Sequence, residues 1–377
     1  MLKNKIIEYR RHIHQNPELG FETYQTAAYV FDELTKLGYE PVYALNKAAV
    51  LAKLDNHKEK TVAFRSDLDG LKIKENTNLS FASTNGCMHA CGHDAHIAML
   101  LGAAHLLKEH QKELSANVLL IFQPAEEGPL PGGAKKLMEE YKMDDIDYFF
   151  AFHVTNKLSS GEVGIKLHEA CAAPDLWEAH FKGVGCHGAT PKLGKNPILP
   201  ASEAILAFQK LHEELNDPLK VISTTYTSSG VSMNIILEDA YIKGTARSFK
   251  NEDRDYLNEK MSQIVHHISL KYQVEGKFTF HYAYDPVYND DEPVQMAIKA
   301  IQKTGTKYIE LSTPEMVGED FSYYRGLAPT CLCWFGVHAL HQDFTDLHSD
   351  CFTLDENILY KGSQIYLEIA KIVNKIE

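Results

Sequence analysis

Apolar and polar positions follow two different rhythms along the chain, and their succession outlines the architecture. Leu2 to His14 carry a helical period that stops at Asn16-Pro17, and Thr23 reads as the cap of a second helix with apolar face Tyr24, Ala27, Phe31 and Leu34, ending at Gly38. Strands are expected at Ala49 to Ala52, Thr61 to Phe64, Asn117 to Phe122 and Tyr148 to Phe152, with helices over Ile97 to Leu107 and Gly133 to Tyr141. The run Asn117 to Phe122 is apolar without a break, the pattern of a strand covered on both faces in a parallel sheet. Three strands run into polar words: Arg65-Ser66-Asp67-Leu68-Asp69-Gly70, Gln123-Pro124-Ala125-Glu126-Glu127-Gly128 and His153. Open α/β sheets build their sites at such C-terminal ends.

Around Pro174-Asp175 the rhythm changes to strand (Leu176 to Phe181), helix (Pro200 to Leu215), strand (Val221 to Tyr226), strands around Asn234 to Leu237 and Tyr241 to Gly244, helix (Glu252 to Leu270) and strand (Lys277 to Tyr282). This is the βαββαβ order of a ferredoxin-like module of about one hundred residues. From Pro293 the first rhythm returns, with a strand Cys331 to Phe335, a polar loop Leu347-His348-Ser349-Asp350 and an amphipathic C-terminal helix. The expected fold class is α/β: a catalytic domain of residues 1–174 and 287–377, with a mixed, mostly parallel sheet flanked by helices, and an inserted ferredoxin-like α+β domain over 175–286.

A length of 377 residues accommodates two domains, and a net charge of −13 argues against nucleic acid or an anionic membrane as partner, since both are gripped by clustered Lys and Arg. A small molecule is the expected partner. Seven cysteines, an odd number, and a start that leads into an amphipathic helix instead of an apolar signal core point to free thiols and a cytoplasmic protein.

Some of those thiols stand among other ligand types. Cys87-Met88-His89-Ala90-Cys91-Gly92-His93-Asp94-Ala95-His96 gathers two thiols, three imidazoles and a carboxylate in ten residues, and the single Gly between Cys91 and His93 lets both side chains turn toward one point. The alternative reading is a Cys/His-rich turn entering a helix, with Asp94 as its start residue. Glu126 and Glu127 are adjacent at a strand end, so their side chains diverge, and two buried carboxylates need a cation or a proton between them. A metal held by Cys91, His93, Glu127, His153 and His348, with Glu126 outside the ligand set as general base, is a kit for amide hydrolysis by an acidified water.

Arg10-Arg11-His12-Ile13-His14 with Pro17-Glu18-Leu19-Gly20-Phe21-Glu22, Arg65 to Leu71, Met88 to Asp94, Gln123 to Gly128 and Gly318-Glu319-Asp320-Phe321 together resemble the metal-dependent amidohydrolases that include hippurate hydrolase, indole-acetyl-amino-acid hydrolases and N-acetyldiaminopimelate deacetylase. The resemblance spans nearly the whole chain. It implies two divalent metal ions (Zn, or Mn, Co or Ni), an N-acyl amino acid as substrate and a lid domain through which the chain forms a homodimer. By position it makes Cys91, His93, Glu127, His153 and His348 the metal ligands and Glu126 the general base. It also makes His187, in Gly185-Cys186-His187-Gly188-Ala189-Thr190-Pro191, an oxyanion donor, although Cys186 and Gly188 depart from the usual loop. Asn234 and Arg247 are implied to grip a substrate carboxylate, with a sheet-surface salt bridge as the alternative for Arg247. Asp67, with Asp69, is expected to back the catalytic centre as an outer carboxylate. Asp69-Gly70-Leu71, Gln123 to Ala134 and Val287-Tyr288-Asn289 look most like the N-acetyldiaminopimelate branch, and hippurate or another N-acyl amino acid stays open.

Overall fold

The computed structural model describes residues 1–339 and 343–373, so the last four residues of the expected second catalytic segment lie outside it. The chain divides into two compact units, one of Met1–Ala170, Tyr288–Pro314 and Asp320 onward, the other of Cys171–Val287 with Glu315–Glu319. Among the described residues no helix is long and apolar enough to cross a membrane.

The first unit is built on an eight-stranded sheet in the order Val42–Ala44, Ala49–Leu54, Asn117–Gln123, Thr61–Asp67, Tyr148–Ser159, Thr330–His338, Glu162–Ile165, Lys307–Glu310. Its four central strands run parallel, and antiparallel pairings occur toward both edges. Both faces are covered, which is why the middles of the central strands are apolar and their polar residues gather toward the ends. On one face Phe64, Phe122, Phe150, Phe152 and Val154 join a core with helices His93–Glu109 and Leu359–Ile372. On the other, Phe149 stacks on Tyr324 with ring centroids 4.8 Å apart.

The second unit is a four-stranded antiparallel sheet in the order Val221–Ser228, Asp239–Ser248, Ala173–Lys182, Glu275–His281, carrying helices Ile198–Leu215 and Asn251–Tyr272. Here the strands alternate: in Ala173–Lys182 every second residue is buried, because one face meets the helices through Trp177, Ala179 and Phe181 and the other does not. Bidentate pairing of Arg254 with Asp175, at 2.8 and 2.7 Å, ties the helix Asn251–Tyr272 to the first strand inside this unit.

Several boundaries differ from the sequence reading, each for a physical reason. The helix expected from Ile97 begins at His93, so His93 and His96 lie one turn apart on it. The strand expected to close before His153 continues to Ser159, because Thr330–His338 pairs alongside it. Its pairing with Thr61–Asp67 nevertheless ends at Ala151, so His153 still stands just past the neighbouring strand's partners. The segment around Asn234 to Leu237 is only a two-residue strand, Ile235–Ile236, paired with Cys186–His187, and the sheet strand starts at Asp239. Thr23 occupies the helix N-cap position, yet its hydroxyl donates to Ala48 O. The free amides of Gln25 and Thr26 are bound instead by the Glu18 carboxylate, at 3.1 and 2.8 Å, where its charge also interacts favourably with the positive end of the helix dipole.

Candidate metal centre

The parallel strands Thr61–Asp67 and Asn117–Gln123 end in register, Asp67 beside Gln123, and the loops that follow bring the acidic words together. Asp69 organises the glutamates: its Oδ1 accepts from Glu126 N and its Oδ2 from Glu127 N, both at 3.0 Å. One carboxylate gripping two consecutive amides fixes the backbone that carries both glutamate side chains.

Cys91 and His93 flank Gly92, which sits at φ +82°, and a Cβ there would meet Val154 Cγ2 at 2.3 Å. Only glycine lets the turn press this close to the strand carrying His153. The Cys91 sulfur lies 3.4 Å from His153 Nε2, and His153 Nδ1 donates to Val154 O at 2.8 Å. That donation leaves a lone pair on Nε2, aimed at the sulfur. From the polar loop, His348 approaches Glu127 with Nε2 3.0 Å from Oε1, and the backbone bond from His348 N to Ala90 O holds the loop against the Cys/His turn.

Donor atoms of Cys91, His93 and His153 lie within 4.8 Å of one another, as do those of Cys91, Glu127 and His348, and those of His93, Glu126 and Glu127. The thiol belongs to two of these sets, so the five expected ligands form two adjoining groups that share it.

The electrostatics are those of a site built around positive charge. Burial alone would lower the His93 pKa, yet Asp67 and Asp69 raise it to about 10. Burial and the nearby Glu127 push the Cys91 thiol well up, whereas burial and His96 push His153 well down. For Glu127 burial acts upward and is outweighed by His348 and His93, which hold it below its ordinary value. His348 is raised, chiefly by its bond to Glu127.

The donor set fits a divalent transition metal: thiolate, imidazole and carboxylate are the ligands that zinc and its neighbours take. His93 supplies the test. It is 0% exposed and, among the described residues, neither ring nitrogen has a partner at hydrogen-bond distance, with the nearest carboxylate oxygens at 3.6, 3.7 and 3.8 Å. A buried imidazole left so is costly unless an ion takes its lone pair.

Asp67 is placed behind this cluster. One of its oxygens accepts from His96 Nδ1 at 2.7 Å and the other from Arg65 Nη1 at 2.9 Å, and Arg65 is in turn fixed by Gln123 and Asp320. Asp320 also accepts from Ala134 N, so the Gly318-Glu319-Asp320-Phe321 motif contributes a structural anchor through Asp320. The sequence reading assigned no role to His96 or to the salt bridge between Arg10 and Asp94. The His-x-x-His spacing was the available signal for His96, hidden by starting the helix four residues late.

Within the second unit, His187 and Asn234 are brought together. His187 pairs with Ile235, and Gly188 N donates to Asn234 O; both side chains are exposed. Arg247 is half-buried and donates through Nε to Met316 O at 3.2 Å. It stands eight residues along its strand from Asp239, about 26 Å at the usual rise per residue.

A profile of Peptidase family M20/M25/M40 matches residues 63–372. An N-acetyl-L-cysteine deacetylase of Bacillus subtilis (strain 168) is 34% identical over 374 residues, spanning 98% of this chain and 88% of its own. An N-acetyldiaminopimelate deacetylase of Halalkalibacterium halodurans is 34% identical over 344 residues, spanning 89% and 91%. The crystal structure of the Bacillus subtilis YXEP protein, described as a dinuclear metal binding peptidase of the M20 family, superimposes with a TM-score of 0.87 at 31% identity, over 99% of this chain and 98% of that one.

Proposed function

The chain belongs to Peptidase family M20/M25/M40 and is a metal-dependent amidohydrolase, and from that premise we propose that it removes the acyl group, foremost acetyl, from N-acyl amino acids. The observation that carries the site assignment is the Asp69 clamp, which holds two adjacent glutamates with different neighbours: Glu127 Oε1 stands 3.0 Å from His348 Nε2, while Glu126 Oε2 stands 3.8 Å from His93. Cys91, His93, His153, Glu127 and His348 would hold two divalent ions. Bound there, the ions supply Lewis acidity and lower the pKa of water toward neutrality. Glu126 takes the proton of the attacking water and returns it to the amide nitrogen as the C–N bond breaks, so that water and amide become carboxylate and amine. Asp69 and Asp67 hold the residues around it in place, Asp69 through the glutamate amides and Asp67 through His96.

The second unit serves as the lid. His187 donates to the developing oxyanion, and Arg247 and Asn234 address the substrate carboxylate from separate positions. In this reading the lid of a second copy supplies His187 and Asn234, making the enzyme a homodimer. The exposed apolar residues Val231, Met233 and Ile235 beside Asn234 support a partner there. Among substrates, N-acetyldiaminopimelate is the first candidate, on the words around Asp69, Gln123 and Val287, and N-acetylcysteine the second, since relatives of equal identity bear each name.

The test is amine release from a panel of N-acetyl and N-benzoyl amino acids by protein loaded with Zn²⁺, Mn²⁺, Co²⁺ or Ni²⁺. Deacetylation of diaminopimelate or cysteine derivatives is expected. Silence across the panel with every metal would reduce the chain to a metal-containing binding protein.

A further inference from the structure

We propose that His96 is a positioning residue, a strut that sets the spacing of His93 and His153, and not itself a metal ligand; this rests on the metal-centre reading above. Distance alone would make it a ligand, because its donor atoms lie within 4.8 Å of those of Asp67 and His93. Its hydrogen bonds argue otherwise. Nε2 accepts from the backbone N–H of Val154 at 2.9 Å, and Nδ1 faces Asp67 Oδ1 at 2.7 Å. An imidazole that spends its one lone pair on an amide and its one proton on a carboxylate has nothing left to offer a metal.

What those bonds join is informative. His96 sits on the helix that begins with His93, Val154 follows His153 on its strand, and Asp67 ends the neighbouring strand. The amide bound by His96 belongs to the peptide linking His153 to Val154, and the next carbonyl, Val154 O, receives His153 Nδ1. His96 thus orients the backbone on both sides of the His153 ring. Its own ring packs beside both expected ligands, 5.4 Å from His93 at 29° and 4.7 Å from His153 at 66°, while those two stand 6.1 Å apart and nearly perpendicular. Asp67 is itself immobilised by the buried Arg65, so the strut is anchored in the sheet interior. Outer partners of this kind set ligand orientation and typically change metal affinity about 10- to 100-fold.

Zn²⁺ titration in competition with a chromophoric chelator, on the full chain, separates the possibilities. Wild type should take two ions and His93→Ala fewer. His96→Phe, which keeps a ring beside both ligands but makes neither bond, should still take two, with affinity about 10- to 100-fold weaker. His96→Asn, whose amide can donate toward Asp67, should recover part of that loss and is the variant to read if His96→Phe does not fold. A merely structural role would lower the melting temperature and leave the affinity of the folded protein unchanged. Wild-type affinity in the folded variants, or loss of an ion as in His93→Ala, would overturn the proposal. A wild type that binds no Zn²⁺ would instead overturn the metal-centre reading beneath it.

Discussion

Glu126 and Glu127 are neighbours in sequence with opposite assignments, and the difference comes from what each side chain meets. Glu127 is drawn to His348 and lies with Cys91 in one donor group, so Glu127→Gln removes a ligand charge and should lower metal occupancy by elemental analysis. Glu126→Gln should retain both ions and the fold and lose turnover by about 10²-fold or more, the usual worth of a general base. Equal metal content in the two variants would contradict the assignment. The contrast needs both substitutions, because each alone is expected to lower activity and would look catalytic.

The first helix, Leu2–His14, illustrates how an element remote in sequence reaches the centre. Arg10 Nε donates to Asp94 Oδ2 at 2.8 Å, His14 Nδ1 meets the same oxygen at 2.8 Å, and His14 Nε2 faces Glu75 Oε1 at 3.1 Å. With a carboxylate at each nitrogen, the ring serves best as a donor on both sides, that is, as imidazolium. Burial opposes that charge, but Asp94 and Glu75 prevail and raise the pKa of His14 to about 9. A pKa raised on folding contributes stability that is complete below the unfolded value of about 6.5 and is lost as pH rises through about 9. Wild-type melting temperature should therefore fall between pH 7 and pH 9.5, and His14→Gln should melt lower at pH 7 with a shallower decline. Parallel profiles for the two proteins would show that His14 is not charged in the fold.

Two separate cores imply two separable stabilities. In the second unit Arg254 is 3% exposed and paired with Asp175, so Arg254→Ala leaves a buried carboxylate without its partner, at a cost of about 3–5 kcal/mol. Calorimetry should show an early transition for that unit while the metal content of the first unit persists; loss of metal in step would mean the two units unfold as one. The lid reading makes a further demand on the assembly. If His187 acts across subunits, mixing His187→Ala with Glu126→Gln protein should restore activity toward one quarter of wild type after statistical subunit exchange, since half the dimers then contain one intact site. No recovery after verified exchange would place His187 in the site of its own chain.

Local patterns determined most of the elements and the chemical types at the site. The apolar run Asn117 to Phe122 can only be covered on both faces, the βαββαβ order admits the sheet order seen in the second unit, and Cys91-Gly92-His93 and Glu126-Glu127 declare metal chemistry by residue type alone. Tertiary structure decided what depends on partners distant in sequence. The strand carrying His153 runs on to Ser159 because residues 330–338 pair with it, and Glu18 reaches across to do the capping expected of Thr23. Two histidines with the same spacing advantage, His93 and His96, also part company only in the fold: among the described residues, one has no partner at hydrogen-bond distance on either nitrogen, and the other has both taken by Asp67 and Val154. A residue's type limits what it can bind, but which lone pairs remain available is settled by the neighbours that folding brings within about 3 Å.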